Sequence, residues 1–384
     1  MESKKAERIR VGILTFHRAH NFGALLQAYA LLSFLQKYFP QTEIIDYWPS
    51  YHQDEYTLIP NWKKRTFVEK IKGILVFLLG FPKILKRRAG YLNFMKEYLH
   101  VSDKVRYPVA GALAHCSYDV VIYGSDQIWR KMHFNNQYFF DDVYWGLYPH
   151  NVGVKIAYAA SMGDVNLTPD DIPYIRQSVQ NFRYIGIRED YLINKLRQII
   201  EADYQQVVDP IFLLDKQNWE NIIDQAAFKI PNEKYILFYH LSFNNSALQF
   251  VNRLAKITGN RIIEIRGRVI PYLMGKRYFH GVSPLQFLAL IRNSEIVVTN
   301  SFHGTAFSVL FEKSFYSVLK PVENSRIKSL LKMLNLENRI VVDEGVALLE
   351  EPINYSQVKR MLSHYIQDSK DFVLRSVQNT TIPS

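Results

Sequence analysis

Apolar positions along the chain fall into two spacings, short continuous runs and stretches in which they return every three or four residues, and the two alternate. Residues 10–16 read as a buried strand, the polar loop HRAHNFG (17–23) follows, and 24–38 has helical spacing. A second strand is expected over 43–47. A strand feeding a polar loop that meets a helix N-terminus is a Rossmann-like opening. The rhythm breaks between 48 and 115 and resumes at YDVVIY (118–123), a strand predicted to end in GSDQIW. A strand over 154–159 ends in ASMG, and a helix covers 169–181. A short strand over 184–187 leads through Arg188, Glu189 and Asp190 into a helix to 200. A strand over 206–208 ends in Asp209-Pro210.

A boundary is expected within 211–232, after which the rhythm restarts. Strands are predicted over 235–240, 261–266 and 295–299, with a helix over 246–258. Ser283, Pro284 and Gln286 form a helix start: N-cap, first helical residue and the far half of a capping box. Residues 300–304 read as the loop after a strand, 305–311 as the next helix, and 355–384 as one helix with a polar tail. The sum is an α/β fold with two Rossmann-like domains facing a cleft. Residues 1–215 form the first, with an insertion at about 50–110, and 216–384 the second, with a C-terminal helix. A length of 384 residues suits two such domains. Ligands of these sheets bind at the carboxyl ends of strands, where the Gly-, His- and Asp-bearing loops fall.

Charge changes this picture at one place. The net charge is +11, and between Trp62 and Tyr98 stand ten Lys or Arg against two Glu. An excess of this sign favours anionic partners. The segment also holds the apolar run 73–81, too short to span a bilayer. It reads either as an interfacial helix on anionic lipid or as a helical insertion that packs on the core. With its charge gathered around an apolar run and no nucleic-acid motif, the chain is not expected to bind nucleic acid. A single cysteine, Cys116, requires no oxidising compartment. The first apolar run is too short for a signal-peptide core, so a cytoplasmic protein is expected, at most peripheral on the inner face of the membrane. Neither metal-ligand spacing among the eleven His nor a DxD cluster is visible, and no cofactor is expected.

Four loops carry the candidate chemistry: HNFGALLQAYAL (20–31), YDVVIYGSDQIW (118–129), IGIREDYLINKL (185–196) and VVTNSFHGTAFSVLF (297–311). In this order and spacing they resemble the polysaccharide pyruvyl transferase family over roughly residues 10–320, least over 50–110. The resemblance implies a two-domain GT-B architecture, phosphoenolpyruvate as donor substrate, and a cyclic pyruvate ketal formed on a sugar of a polysaccharide or lipid-linked glycan. It places His303 at the donor site, as acid toward the methylene carbon or as phosphate ligand. It makes Arg188 an anion clamp, whose planar fork suits carboxylate or phosphate. Many members carry Arg-Leu-His where this chain has Ser301-Phe302-His303. In place of that arginine, either another basic residue acts or Asn300, Ser301 and the amides of Gly304 and Thr305 hold the phosphate as a nest.

The residues taken alone leave alternatives open. His303 is also readable as a histidine satisfied in a tight turn, and Arg188 as a surface arginine paired with Glu189 or Asp190. Asp126 reads as a base for an acceptor hydroxyl or as a helix cap. Trp129 reads as a platform for a sugar ring or as packing between domains, with Gln127 beside it on the acceptor side. Asn21, Gly23 and Ser125 are donor-side candidates, Gly23 through its freedom to adopt positive φ. His17, Arg18 and His20 add positive field to the first loop. The competing functions are a GT-B glycosyltransferase using a nucleotide sugar and a non-catalytic membrane-surface module on the same fold.

Overall fold

The computed structural model describes residues 8–55, 67–102, 109–164, 166–226, 228–270, 272–319, 324–342 and 351–379. Lys63, Lys64 and Arg65 of the basic segment, other parts of the 50–110 insertion and the end of the polar tail lie outside the described residues.

The first half runs β1 (Val11–Leu14), α1 (Phe22–Gln36), β2 (Thr42–Ile44), α2 (Ser50–Glu55), α3 (Phe67–Tyr98), β3 (Tyr118–Tyr123), a hairpin of β4 (Met132–Phe134) and β5 (Gln137–Phe139), β6 (Val152–Ala160), α4 (Asp171–Val179), β7 (Tyr184–Ile187), α5 (Asp190–Arg197) and β8 (Tyr204–Gln206). The second runs α6 (Lys216–Asp224), β9 (Tyr235–His240), α7 (Asn245–Thr258), β10 (Arg261–Arg266), α8 (Pro284–Arg292), β11 (Ile296–Thr299), α9 (Phe302–Leu310), β12 (Ser314–Val318), α10 (Ser325–Met333), β13 (Ile340–Val341) and α11 (Tyr355–Gln378). The strands form two parallel sheets, ordered β2-β1-β3-β6-β7-β8 and β10-β9-β11-β12-β13. The fold is therefore the expected α/β pair of Rossmann-like halves.

Each order changes direction once, between β1 and β3 in the first sheet and between β9 and β11 in the second. Crossovers leave those points on opposite faces, which opens a crevice at the carboxyl ends of the strands. The loop after β1 leads through Asn21 into α1, which Phe22 and Gly23 open, and the loop after β3 carries Gly124-Ser125-Asp126. The loop after β11 leads through Ser301 into α9, which Phe302 and His303 open.

The halves pack directly. Phe22 at the start of α1 stacks on Phe287 of α8 with ring centroids 4.5 Å apart. Helix α11 crosses back to the first sheet, where Ser369 Oγ accepts from Val208 N at 2.9 Å. Phe372 of α11 occupies the space where Gly186 of β7 lacks a side chain. The break in rhythm after residue 48 is mostly α3, which continues through Pro82. Among the described residues no helix is long and apolar enough to cross a membrane.

Candidate active site

The site assembles from strand ends. Helix α1 begins two residues earlier than its apolar spacing indicates, because Asn21 caps it: its side-chain oxygen accepts from Gly23 N at 2.9 Å and Ala24 N at 3.4 Å. Helix α9 begins three residues earlier than expected for the same reason. Ser301 is its N-cap and accepts from Gly304 N at 3.3 Å. His303 thus lies in the first helical turn, not in a free loop. The amides of Gly304 and Thr305 are spent within that turn, the second on Ser301 O at 3.0 Å. This overturns the nest expected from Ser301, Gly304 and Thr305. Thr305 Oγ1 is bonded to Ser317 Oγ at 2.8 Å inside the second half. Asn300 is engaged at both ends of its amide, accepting from Leu241 N and donating to Ser242 O, each at 2.9 Å. It ties two loops of the second sheet together rather than facing the crevice.

The two helix starts meet. A Cβ placed on Gly23 would lie 1.9 Å from His303 Nδ1. Gly23 is helical, so the need for glycine there is space for the imidazole of the other half and not positive φ. His303 is 6% exposed, and its Nε2 lies 3.7 Å from Asp209 Oδ2 and has no hydrogen-bond partner among the described residues.

Asp209, at the end of the first half's last strand segment, is the hub. Its Oδ2 accepts from Arg188 Nη1 at 2.6 Å and from Ser125 Oγ at 3.4 Å. Burial pushes its pKa up, but His303 and Arg188 outweigh burial and hold the carboxyl well below the usual range. Arg188 also donates through Nε to Glu189 Oε1 at 3.0 Å, so of the two partners expected for a surface arginine Glu189 pairs with it and Asp190 does not, and the arginine is buried instead of lying at the surface. Burial disfavours its charge, yet Glu189 and Asp209 raise its pKa. Among the described residues, Arg188 Nη2 and Glu189 Oε2 are buried without partners. Buried polar groups are normally satisfied, so three orphans side by side, with His303 Nε2, mark a place built for something polar.

A second guanidinium comes from α10, where no motif had pointed to a site residue. Arg326 of α10 lies 5.8 Å from the Phe302 ring centroid, and Arg188 lies 4.5 Å from the same ring. Burial and the charge of Arg188 lower the Arg326 pKa. Its nearest carboxylate is Asp126, 3.7 Å away. The two arginines line, with Asp209 and Phe302, a cavity of about 10 Å³. Helix α10 is held to the first half by Asp164, whose carboxylate accepts from Asn324 N at 2.6 Å and Ser325 N at 2.8 Å.

The remaining expected residues divide. Asp126, at φ 77°, is half-buried at the crevice, and no helix follows for it to cap. Ser125 is fully buried and spends its groups internally: its amide donates to Gln27 Oε1 at 3.3 Å and its carbonyl accepts from Thr15 Oγ1 at 3.1 Å. Gln27, a lone amide within the apolar run of α1, is thereby a brace that sequence reasoning missed. Trp129 offers no face to a sugar. It is fully buried, stacks on Trp145 at 4.6 Å and donates from Nε1 to Tyr144 O at 2.9 Å. Gln127 is half-buried over Gly163, which leaves it room. His17 and Arg18 add no net field, since both bind Asp46. Burial, then Arg88 and Arg87, lower the His20 pKa to about 4.

The fold and the cluster define a two-lobed α/β protein whose polar groups converge from the carboxyl-end side of both sheets. The chain belongs to the polysaccharide pyruvyl transferase family, whose model matches residues 21–319. No curated protein matches it. Among solved structures it is similar to UDP-GlcNAc 2-epimerase from Neisseria meningitidis, with 9% identity, TM-score 0.47, and 96% of this chain and 99% of that chain covered. It is also similar to E. coli heptosyltransferase WaaC, with 13% identity, TM-score 0.41, and 93% and 100% covered. Similarities this low carry no weight in the chemistry that follows.

Proposed function

We propose that this chain transfers a pyruvyl group from phosphoenolpyruvate to two hydroxyls of a sugar in a polysaccharide or lipid-linked glycan, forming a cyclic ketal and releasing phosphate. One observation carries the reading: Arg188 and Arg326 both lie against the Phe302 ring beside His303, and Arg188 Nη2 and His303 Nε2 are buried with no partner among the described residues. Each guanidinium already faces a carboxylate, Arg188 that of Asp209 and Arg326 that of Asp126, yet Arg188 keeps a buried Nη2 with no partner among the described residues. A donor with both a phosphate and a carboxylate supplies acceptors for such groups, and arginine binds either one with two parallel bonds. Arg326 then takes the place of the family arginine that Ser301 replaces.

In the reaction, a proton from His303 forms the new C–H bond at the methylene carbon. A sugar hydroxyl oxygen bonds to the adjacent carbon and gives its proton to a base, for which Asp126 is the candidate. Phosphate leaves with the C–O bonding pair, and the second hydroxyl adds at the same carbon, its proton leaving with the phosphate. Asp209 stands behind His303 and Arg188 and positions both. Charge that develops on the departing phosphate is met by fixed cations, the arrangement that lowers such barriers most.

Thermal shift with phosphoenolpyruvate against UDP-sugars tests the donor. Stabilisation by phosphoenolpyruvate that is lost in Arg188→Ala and Arg326→Ala supports the reading. Stabilisation by UDP-sugars alone rejects it in favour of a glycosyltransferase.

A further inference from the structure

Helix α3 presents two different faces. Its inner face is built into the molecule: Arg87 donates to Arg266 O at 2.8 Å across to the second half, and Tyr91 packs on Phe22 and His20 at the start of α1. Its outer face is apolar and exposed. Ile74, Leu78, Leu85 and Leu92 follow one another at helical spacing, with Leu79 beside them, and Leu78 and Leu79 are 60% and 65% exposed. Scattered surface leucines need no explanation, but a row along one helix does.

Charge indicates the occupant. The segment 62–98 carries ten basic residues and two acidic ones. By helical register Lys83 and Arg88 lie at opposite borders of the apolar row and are half-buried, while Lys86 and Lys96 stand exposed within the outer arc. Long cationic side chains bordering an apolar strip are the pattern of a helix lying in the headgroup plane, with its stem carbons on the apolar side and its ammonium groups toward phosphates. A protein partner or a second copy would have to match this excess positive charge, whereas an anionic bilayer does so without a specific surface.

We infer that the outer face of α3 docks the protein on an anionic lipid surface. Because the inner face touches the loop that opens α1, docking by α3 holds the crevice beside the bilayer, within reach of an acceptor carried on lipid. The acceptor half of this inference rests on the pyruvyl-transfer reading, and the lipid-binding half stands without it.

The experiment is co-sedimentation of the full chain with vesicles of equal parts phosphatidylglycerol and phosphatidylcholine, and with phosphatidylcholine alone, for wild type and the Leu78→Glu, Leu79→Glu double variant. Phosphate release from phosphoenolpyruvate with a soluble glycan is measured in parallel. Binding to the anionic vesicles only, weakened by salt and reduced about tenfold or more in the double variant, is the expected result. Equal binding to both vesicles, no binding, or a lipid-free dimer that the double variant converts to monomer overturns the inference. Unchanged soluble turnover in the variant shows that the fold is intact. Absence of turnover in both proteins counts against the donor reading and leaves the vesicle result standing.

Discussion

At the scale of single residues, the site shows which sequence signals survive folding. His303 and Arg188 were visible as polar residues at strand ends, and both lie at the interlobe cluster. Arg326 was not, because it stands far along the chain on α10 and reaches the site only through packing of the second half on the first. Trp129 misled because an aromatic beside a polar loop serves a core as well as a sugar. Three outcomes follow. His303→Ala lowers pyruvyl transfer by about 10²–10⁴-fold with the fold retained, as phosphate release and circular dichroism will show. Gly23→Ala drives a methyl group into the imidazole. Overpacking of this kind costs about 1–3 kcal/mol of stability, read by denaturant unfolding, and turnover falls as His303 shifts, checked by the same assay. Trp129→Ala, by contrast, lowers stability by about 3–5 kcal/mol in denaturant unfolding, and Trp129→Phe leaves the acceptor KM unchanged.

At the scale of elements, periodicity located the strands of the first parallel sheet, β9, β10 and β11 of the second and most helices, but not β12 or β13, and caps fixed where the helices begin. The capping box at Ser283 and Gln286 is present with both of its bonds. Ser301 carried the same information, but Gly304 three residues on suggested a loop. That glycine permits close contact with Thr299 of β11, where a Cβ would meet Oγ1 at 2.4 Å. The hairpin of β4 and β5 escaped notice because its strands have three residues each. Its turn, Asn135-Asn136, has positive φ at both positions, the geometry that matches strand twist. In the second half, β9 and β10 are cross-linked at their ends by Glu264, which accepts from His240, Arg266 and Arg277. Burial alone would raise the Glu264 pKa, but these partners lower it from 4.5 to about 2. A carboxylate with a depressed folded-state pKa contributes stability that is fully present above its unfolded value and is lost as pH falls. The unfolding free energy of wild type minus that of Glu264→Gln should therefore be constant above about pH 5 and shrink between about pH 4.5 and 2.

At the scale of the whole molecule, the two lobes meet at the cluster. The cavity lined by the two arginines together with Asp209, Phe302 and several apolar side chains, about 10 Å³, has room for about one water molecule and not for a donor bearing phosphate and carboxylate. Donor binding at this point is therefore expected to part the lobes, with the contacts of α10 with Asp164 and Asp190 as the ones expected to break. Asp164→Ala removes a cap worth about 0.5–2 kcal/mol. The ligand-free variant should scatter X-rays with a larger radius of gyration than wild type, and saturating phosphoenolpyruvate should remove the difference. Identical scattering without ligand would show that the latch does not set the lobe equilibrium. The two-lobed layout could be read from the sequence because each lobe repeats a local βα pattern. The interface between the lobes could not, since it depends on side chains that only tertiary packing brings together.

The most direct measurement supplies phosphoenolpyruvate labelled with carbon-13 at its methylene carbon, together with lipid-linked glycans from the source cell, and follows the label by NMR. The account predicts a new ketal methyl signal in the glycan fraction, matched by phosphate release and absent with His303→Ala. Label that stays in phosphoenolpyruvate while wild-type protein consumes a nucleotide sugar would contradict it.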